Sequence, residues 1–436
     1  MTDFRQNAQA AETLMRDVFE PTPLQRNDHL SEKFGAEIYL KREDLSPVRS
    51  YKLRGAFNAI RKRLALGNTP SSFVAASAGN HAQGVAFMCK HFGLTGVIFM
   101  PVTTPDQKVM KTRSFGGDHI EVRLTGDYFD DTLSAAQSYC QQVSGHFLSP
   151  FDDEDVIEGQ ASVGVEIESQ VGVPDVIVMP VGGGGLASGV SSYFGDRCAY
   201  VLVEPEGGKC LAEAFRAGHP SRLNHIDTFA DGAAVAQIGA KTFERLKHLG
   251  PDVVHAVNED RLCTTMIEML NVEGFVLEPA GALALDVLKD IHDQIKGRKV
   301  VCVSSGGNFD FERLPEVKER ALRSSGIKKY YILRMPQRPG ALKEFLNMLG
   351  PDDDISRFEY LKKSARNFGS VLLGIESKDA ENFAQLCGRF DEAGIRWQDI
   401  TNDELVASLI VCHGANMPSR TAGSTPLAHV HLSGLP

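Results

Sequence analysis

Val176-Ile177-Val178-Met179-Pro180-Val181-Gly182-Gly183-Gly184-Gly185-Leu186-Ala187-Ser188-Gly189-Val190 is the stretch that decides the fold of this chain. The unbroken apolar run before the glycines predicts a strand buried on both faces, as in a parallel sheet. Four glycines let backbone N–H groups converge on an anion without Cβ clashes. The small residues that follow predict a helix whose N-terminus points at that anion.

Further strands are predicted at 37–40, 73–76, 97–100, 200–204 and 299–303. They alternate with helical patterns up to about residue 310, which predicts a parallel α/β architecture. A small subdomain, 52–150, should be inserted in a larger one, giving two parallel-sheet subdomains. Clefts between domains are where small ligands are usually held.

The glycine turn alone leaves its ligand open. No Gly-Lys-Ser/Thr follows, so it is not a nucleotide triphosphate loop. Gly182, Gly184 and Ala187 also fit the looser dinucleotide fingerprint, and Glu204 ends the next strand where a ribose-binding acid would sit. A nicotinamide and a pyridoxal cofactor are both compatible with this turn.

Lys52 separates them. It lies in Ser50-Tyr51-Lys52-Leu53-Arg54-Gly55-Ala56, and Leu53, Ala56, Phe57, Ile60 and Leu64 recur at helical spacing. Most lysines are solvated surface cations. At a helix start, however, the partial positive charge disfavours a second cation. An amine depressed from its ordinary value of about 10.4 can form a Schiff base with an aldehyde, and pyridoxal phosphate carries one. That cofactor needs a phosphate site, a donor to the ring oxygen and a partner for the pyridine nitrogen.

Two more loops offer the missing groups. Ser77-Ala78-Gly79-Asn80-His81-Ala82-Gln83-Gly84 follows the strand at 73–76. Asn80 can donate to a ring oxygen, and Ser77 with the N–H groups of Gly79, Asn80 and His81 can bind a substrate carboxylate. A plain strand-to-helix turn is the bland alternative for this segment. Ser304-Ser305-Gly306-Gly307-Asn308 follows the strand at 299–303, and Ser305 faces a ring nitrogen from that strand end. Loops at strand C-termini are where open parallel sheets place their sites.

These segments, in this order, resemble the tryptophan-synthase-like (fold type II) pyridoxal phosphate enzymes, and most closely the threonine dehydratases. The likeness spans roughly residues 5–320. It implies that Lys52 bonds the cofactor, Asn80 meets its ring hydroxyl, Gly182, Gly183, Gly184, Gly185 and Leu186 hold its phosphate, and Ser305 meets its ring nitrogen. Cysteine and threonine synthases tend to carry Lys-Asp-Arg after the serine, whereas Lys52-Leu53-Arg54-Gly55 here is similar to the dehydratases. The expected reaction turns L-threonine into 2-oxobutanoate and ammonia, with Lys52 removing the α-proton. A serine hydroxyl cannot protonate the ring, so the electron sink is weak; that suits β-elimination over transamination.

Departures from the family pattern carry their own expectations. Related serine racemases have a serine at the position of Ala78; alanine cannot reprotonate the opposite face, so no racemisation is expected. Glu204 lies where such relatives have a cation ligand, but the later acidic ligand position is Cys210. No metal is expected, and Glu204 reads as structural. Glu278, in Glu278-Pro279-Ala280-Gly281-Ala282, reads first as a helix-start acid and only second as a catalytic one. His81 reads as a loop hydrogen-bonder and not a metal ligand.

Whole-chain properties agree. A chain of 436 residues allows two or three domains, and a formal charge of −10 argues against nucleic acid and anionic membranes. No apolar run approaches the roughly 18 residues of a membrane span, and Met1 to Arg16 lacks an apolar signal core. Eight scattered cysteines without Cys-x-x-Cys indicate reduced thiols and a cytoplasmic protein.

After a linker at 315–328, charged and helix-prone over 315–325 and then loop-like, the pattern changes. A strand at 330–335 is followed by Arg338-Pro339-Gly340-Ala341-Leu342 and a helix through Met348. Strands at 355–360 and 371–375 and a helix at 381–393 come next. This β-α-β-β-α-β order resembles one ACT-like, ferredoxin-like α+β domain over 329–411, after a catalytic region of 1–314. Such domains bind small amino acids near the first strand-to-helix turn, here Arg338, Gly340, Ala341 and Leu342. The resemblance implies inhibition by isoleucine, opposition by valine, and a homotetramer with a dimer as the alternative. A mere dimerisation module is the bland reading. Residues 412–436 have no acid and no lysine, and are expected to be a disordered tail without catalytic role.

Three competing readings follow. A catabolic serine/threonine dehydratase should lack the C-terminal domain or answer to a nucleotide. An amino-acid sensor with an inactive front domain should bind no cofactor. A nicotinamide oxidoreductase leaves Lys52, Asn80 and Ser305 unexplained.

Overall fold

A computed structural model describes residues 3–361 and 367–403 of the chain. Its strands, in chain order, are β1 (Leu24–Arg26), β2 (Glu37–Arg42), β3 (Phe73–Ala76), β4 (Gly96–Met100), β5 (Ile120–Leu124), β6 (His146–Phe147) and β7 (Val176–Pro180). They continue with β8 (Ala199–Pro205), β9 (Val254–Val257), β10 (Lys299–Ser304), β11 (Lys328–Pro336), β12 (Asp353–Leu361), β13 (Phe368–Ser377) and β14 (Arg396–Asp399). Two compact units divide the chain between Ile327 and Lys328.

The first unit holds two parallel sheets, as the alternating pattern predicts. The larger has the order β1-β2-β10-β7-β8-β9, with only β1 antiparallel to its neighbour. The smaller has the order β5-β4-β3-β6, all parallel. β3, β4 and β7 are buried throughout, which is why their apolar runs are unbroken. β5 is different: an edge strand, Ile120-Glu121-Val122-Arg123-Leu124, with no fully buried residue. Its polar residues disguise it in the sequence, as the short lengths of β1 and β6 disguise those strands.

The helix Lys52–Ala65 starts at Lys52 and packs on the helix Glu154–Val171. A buried ion cluster locks its first turn. Arg54, fully buried, donates to both carboxylate oxygens of Glu43 at 2.8 Å and to those of Glu166 at 2.6 and 2.9 Å. Lys41 of β2 donates to Glu166 at 2.5 Å. Burial pushes the Glu166 carboxyl up, but Arg54 and Lys41 outweigh it and hold it at about 2. Charges this deep are tolerable only when paired and hydrogen-bonded. The cluster thus fixes the backbone two residues beyond Lys52.

Where a linker is expected at 315–328, the structure has a helix, Leu314–Ser324, inside the first unit. Val317 and Ala321, four residues apart, are buried, and the helix packs on Glu259–Glu273. Arg320 pairs with Asp260 at 2.9 Å. The helical tendency is legible in the sequence, but a buried stripe of only two residues among charges hides the packing of this helix on the first unit.

The second unit is a β-α-β-β-α-β fold, as expected. Its antiparallel sheet has the order β12-β13-β11-β14, and its helices are Ala341–Leu346 and Glu381–Glu392. Tyr331, Leu333, Phe345, Leu373, Phe383 and Phe390 belong to its core. The first helix stops at Leu346, short of Met348. Gly340, at φ +86°, turns the chain into it. Arg338 pairs with Glu344 at 2.6 Å on the surface, Ala341 is buried, and Leu342 is half-exposed. Residues 404–411 of the expected domain and the expected tail at 412–436 lie outside the described residues. Among the described residues, no helix is long and apolar enough to cross a membrane.

Candidate active site

The glycine turn sits between β7 and the helix Gly185–Phe194. Gly184 has φ +89°, a left-handed conformation that favours glycine. A Cβ on Gly183 would lie 2.2 Å from the ring of Phe151. The turn is braced from outside: Thr242 Oγ1 donates to the Gly183 carbonyl at 2.7 Å. The first-turn N–H groups of Gly185, Leu186 and Ala187 have no acceptor within their own helix. Together these features make a cradle for an anion.

Glu204, at the end of β8, is not available to a ribose. Its buried carboxyl accepts from the backbone N–H of Leu211 at 2.6 Å and of Ala212 at 2.9 Å, capping the helix Cys210–Ala217. Burial pushes it up to about 7. Cys210, next to it, donates its thiol to the Gly182 carbonyl at 3.4 Å. Cys210 thus braces the turn, and Glu204 holds the start of the helix that carries Cys210.

Lys52 faces the turn through Phe151, whose ring centre is 5.9 Å from Nζ. The amine donates to the Pro150 carbonyl at 2.8 Å. Enclosure lowers it to about 8, against a smaller upward pull from Glu278. Amines near neutrality are competent nucleophiles and bases.

The remaining loops meet beside it. The N–H of Tyr51 donates to the Ser305 carbonyl at 3.2 Å, and Ser50 bridges to Gly306. Ser305 is buried, and its hydroxyl donates to the Ala280 carbonyl at 3.3 Å. A Cβ on Gly306 would strike Glu278 at 2.2 Å and come within 3.2 Å of Asn80 Nδ2. Asn80 opens the helix Asn80–Phe92 and donates to Glu278 Oε1 at 2.6 Å. Ser77 Oγ accepts from the Gly79 N–H at 3.2 Å. The ring of His81 is buried and donates to the Leu148 carbonyl at 2.9 Å; burial and the Lys52 charge push it down to about 3, so it stays neutral. Its side chain is therefore turned away from the loop, leaving its backbone as the part that could meet a ligand.

Glu278 is more than a helix-start acid. It precedes the helix Pro279–Asp286, yet its side chain makes no cap. Burial, with Asp231 adding to it, pushes the carboxyl up to about 7. Sequence reasoning missed Phe151, Thr242 and the contact between Glu278 and Asn80, because these partners are far apart in the chain.

The pyridoxal-phosphate dependent enzyme family matches residues 15–306, and the C-terminal regulatory domain of threonine dehydratase matches 319–410. The biosynthetic L-threonine dehydratase IlvA of Bacillus subtilis (strain 168) is 46% identical over 402 residues, 91% of this chain and 95% of that one. That of Lactococcus lactis is 42% identical over 406 residues, with 91% and 97% covered. The chain belongs to the biosynthetic threonine dehydratases, within the pyridoxal-phosphate dependent enzymes. Among solved structures, the processed form of threonine deaminase isoform 2 from Solanum lycopersicum matches with a TM-score of 0.68 at 34% identity. That match covers 74% of this chain and 94% of that one.

The residues present fit the family's cofactor. The Gly182–Gly185 turn suits a phosphate, because Gly184 in its left-handed conformation leads into a helix whose first-turn N–H groups lack acceptors within it. The lowered Lys52 amine suits an aldehyde, the Asn80 amide a ring oxygen, and the uncharged Ser305 hydroxyl a ring nitrogen. Among the described residues, no group of three or more potential metal ligands is found.

Proposed function

We propose that this chain converts L-threonine to 2-oxobutanoate and ammonia at a site built on Lys52, Asn80, the Gly182–Leu186 turn and Ser305. The observation that carries this is the convergence of those four segments around one amine lowered to about 8. The bound pyridoxal phosphate supplies an electron-accepting ring conjugated to the substrate amino group.

The chain's own residues do the rest. Backbone N–H groups around Ser77, Gly79, Asn80 and His81 hold the substrate carboxylate. This orients the Cα–H bond toward Lys52. The Lys52 amine takes the α-proton as general base. Ser305 leaves the ring nitrogen unprotonated, so charge does not linger at Cα. The electrons of the broken Cα–H bond form the Cα–Cβ double bond, the Cβ–O bond breaks, and the β-hydroxyl departs as water with one proton, which balances the proton that Lys52 took from Cα. Hydrolysis of the resulting enamine product returns one water and releases ammonia, so the atoms balance.

The second unit is the regulatory part. Its turn at Arg338, Gly340, Ala341 and Leu342 takes isoleucine as an inhibitor, with valine opposing it. The product's four-carbon 2-oxo acid leads toward isoleucine, which gives feedback a chemical purpose. A cytoplasmic homotetramer fits the free thiols of the described cysteines and the family. The test is 2-oxo acid release from L-threonine and L-serine, each with and without isoleucine. Threonine turnover that isoleucine cuts supports the full reading. Turnover indifferent to isoleucine removes the effector assignment, and no turnover removes the reaction.

A further inference from the structure

Asn308 closes the Ser304–Asn308 segment and has no role in the reaction as described above. Its side-chain amide is engaged at every face. Nδ2 donates to the Val48 carbonyl at 2.9 Å and to Asn80 Oδ1 at 2.7 Å. Oδ1 accepts from the Lys111 ammonium, on the helix Asp106–Gly116.

Two of these partners cannot change sign. A backbone carbonyl only accepts, and an ammonium only donates. Turning the Asn308 amide over would set oxygen against oxygen at Val48 and donor against donor at Lys111. The direction of this amide is therefore fixed. That direction passes to Asn80. Because Asn308 offers an N–H, Asn80 must present Oδ1 to it, and its Nδ2 must point the other way. There it reaches Glu278 Oε1 at 2.6 Å with one hydrogen and keeps a second.

We infer that Asn308, backed by Lys111 and the Val48 carbonyl, is a positioning residue that sets the direction of the Asn80 amide. The second Asn80 hydrogen is the donor for the cofactor ring oxygen. This rests on the assignment of Asn80 as a cofactor contact under the proposed function. The relay joins three separate parts of the chain: Val48 before the Lys52 helix, Lys111 beside the small sheet and Asn308 after β10.

The test compares two substitutions at this position. Asn308→Asp keeps the size and removes the donor. Asn80 must then turn its own N–H toward position 308 and its oxygen toward the cofactor. Asn308→Ala removes the group and leaves Asn80 free to take either orientation. A packing role alone makes the alanine variant worse; a directional role makes the aspartate variant worse. The readouts are the dissociation constant for pyridoxal phosphate, the visible absorption band of the loaded protein and the melting temperature of the cofactor-free protein.

The expected result is that Asn308→Asp weakens cofactor binding by roughly tenfold or more and moves the visible band. Asn308→Ala does so less, and Lys111→Met, which releases one of the two fixed partners, shifts the band in the same sense. Equal spectra and affinities in all three variants overturn the inference, as does an alanine variant worse than the aspartate one. If the wild-type protein takes up no cofactor, the proposed function itself fails, and the inference with it.

Discussion

The backbone N–H of Tyr51 donates to the carbonyl of Ser305 at 3.2 Å, so the residue before Lys52 is tied to the loop that follows β10. Residues 254 positions apart in sequence are held as one surface, with the Lys52 amine next to the first and the Ser305 hydroxyl on the second.

Arg54 anchors the Lys52 helix through Glu43 and Glu166. Its removal leaves two buried carboxylates without their main partner. Arg54→Ala should destabilise the fold by about 3–5 kcal/mol. Guanidinium unfolding of the two proteins checks this, and a difference under about 1 kcal/mol would mean the cluster is no stronger than a surface pair.

Glu278 gives the cofactor-free protein a pH dependence. Its carboxyl is raised to about 7 by burial, while the unfolded chain loses that proton near about 4.3. Between these values the folded state holds a proton that the unfolded state has lost. The stability contributed by this group is complete below the unfolded value and is lost as pH rises through about 7. Glu278→Gln should remove that part of the decline. Urea midpoints of both cofactor-free proteins at the two ends of the window decide it, and parallel declines would count against a titrating Glu278.

Much of this arrangement is legible in the sequence, and the reason is local. β3, β4, β7 and β10 are buried apolar runs, and the glycine turn announces itself in four consecutive residues. Lys52, Asn80 and Ser305 stand beside such punctuation. The strands that escaped, β1, β5, β6 and β9, are short or half-exposed, so their side chains follow no clear period. The helix Leu314–Ser324 reads as helix-prone yet passes for a linker, because Val317 and Ala321 are the whole of its buried stripe. The partnership of Asn80 with Glu278 and Asn308 depends on contacts between distant segments, which no spacing rule can read.

Gly183 faces the Phe151 ring, and a Cβ there would sit 2.2 Å from ring carbons. Gly183→Ala must displace either the ring or the turn. Cofactor affinity should fall by roughly tenfold or more, the equivalent of about 1.4 kcal/mol. Equilibrium dialysis against pyridoxal phosphate measures this, and unchanged affinity would show that the turn is not the phosphate site.

Ala78, half-buried in the Ser77–Gly84 loop, has no acidic proton to deliver to the face opposite Lys52. Incubation with L-serine should yield 2-oxo acid and no D-serine. Chiral chromatography of the reaction mixture settles the point; D-serine above the blank would require a second acid elsewhere in the site.

Reduction of the cofactor-loaded protein with borohydride, followed by peptide mass spectrometry, probes the assignment of Lys52 most directly. The expected result is a single pyridoxyl-labelled peptide, the one containing Lys52, with no label in Lys52→Ala protein. Label on a different lysine, or a loaded protein with none, would contradict the central claim.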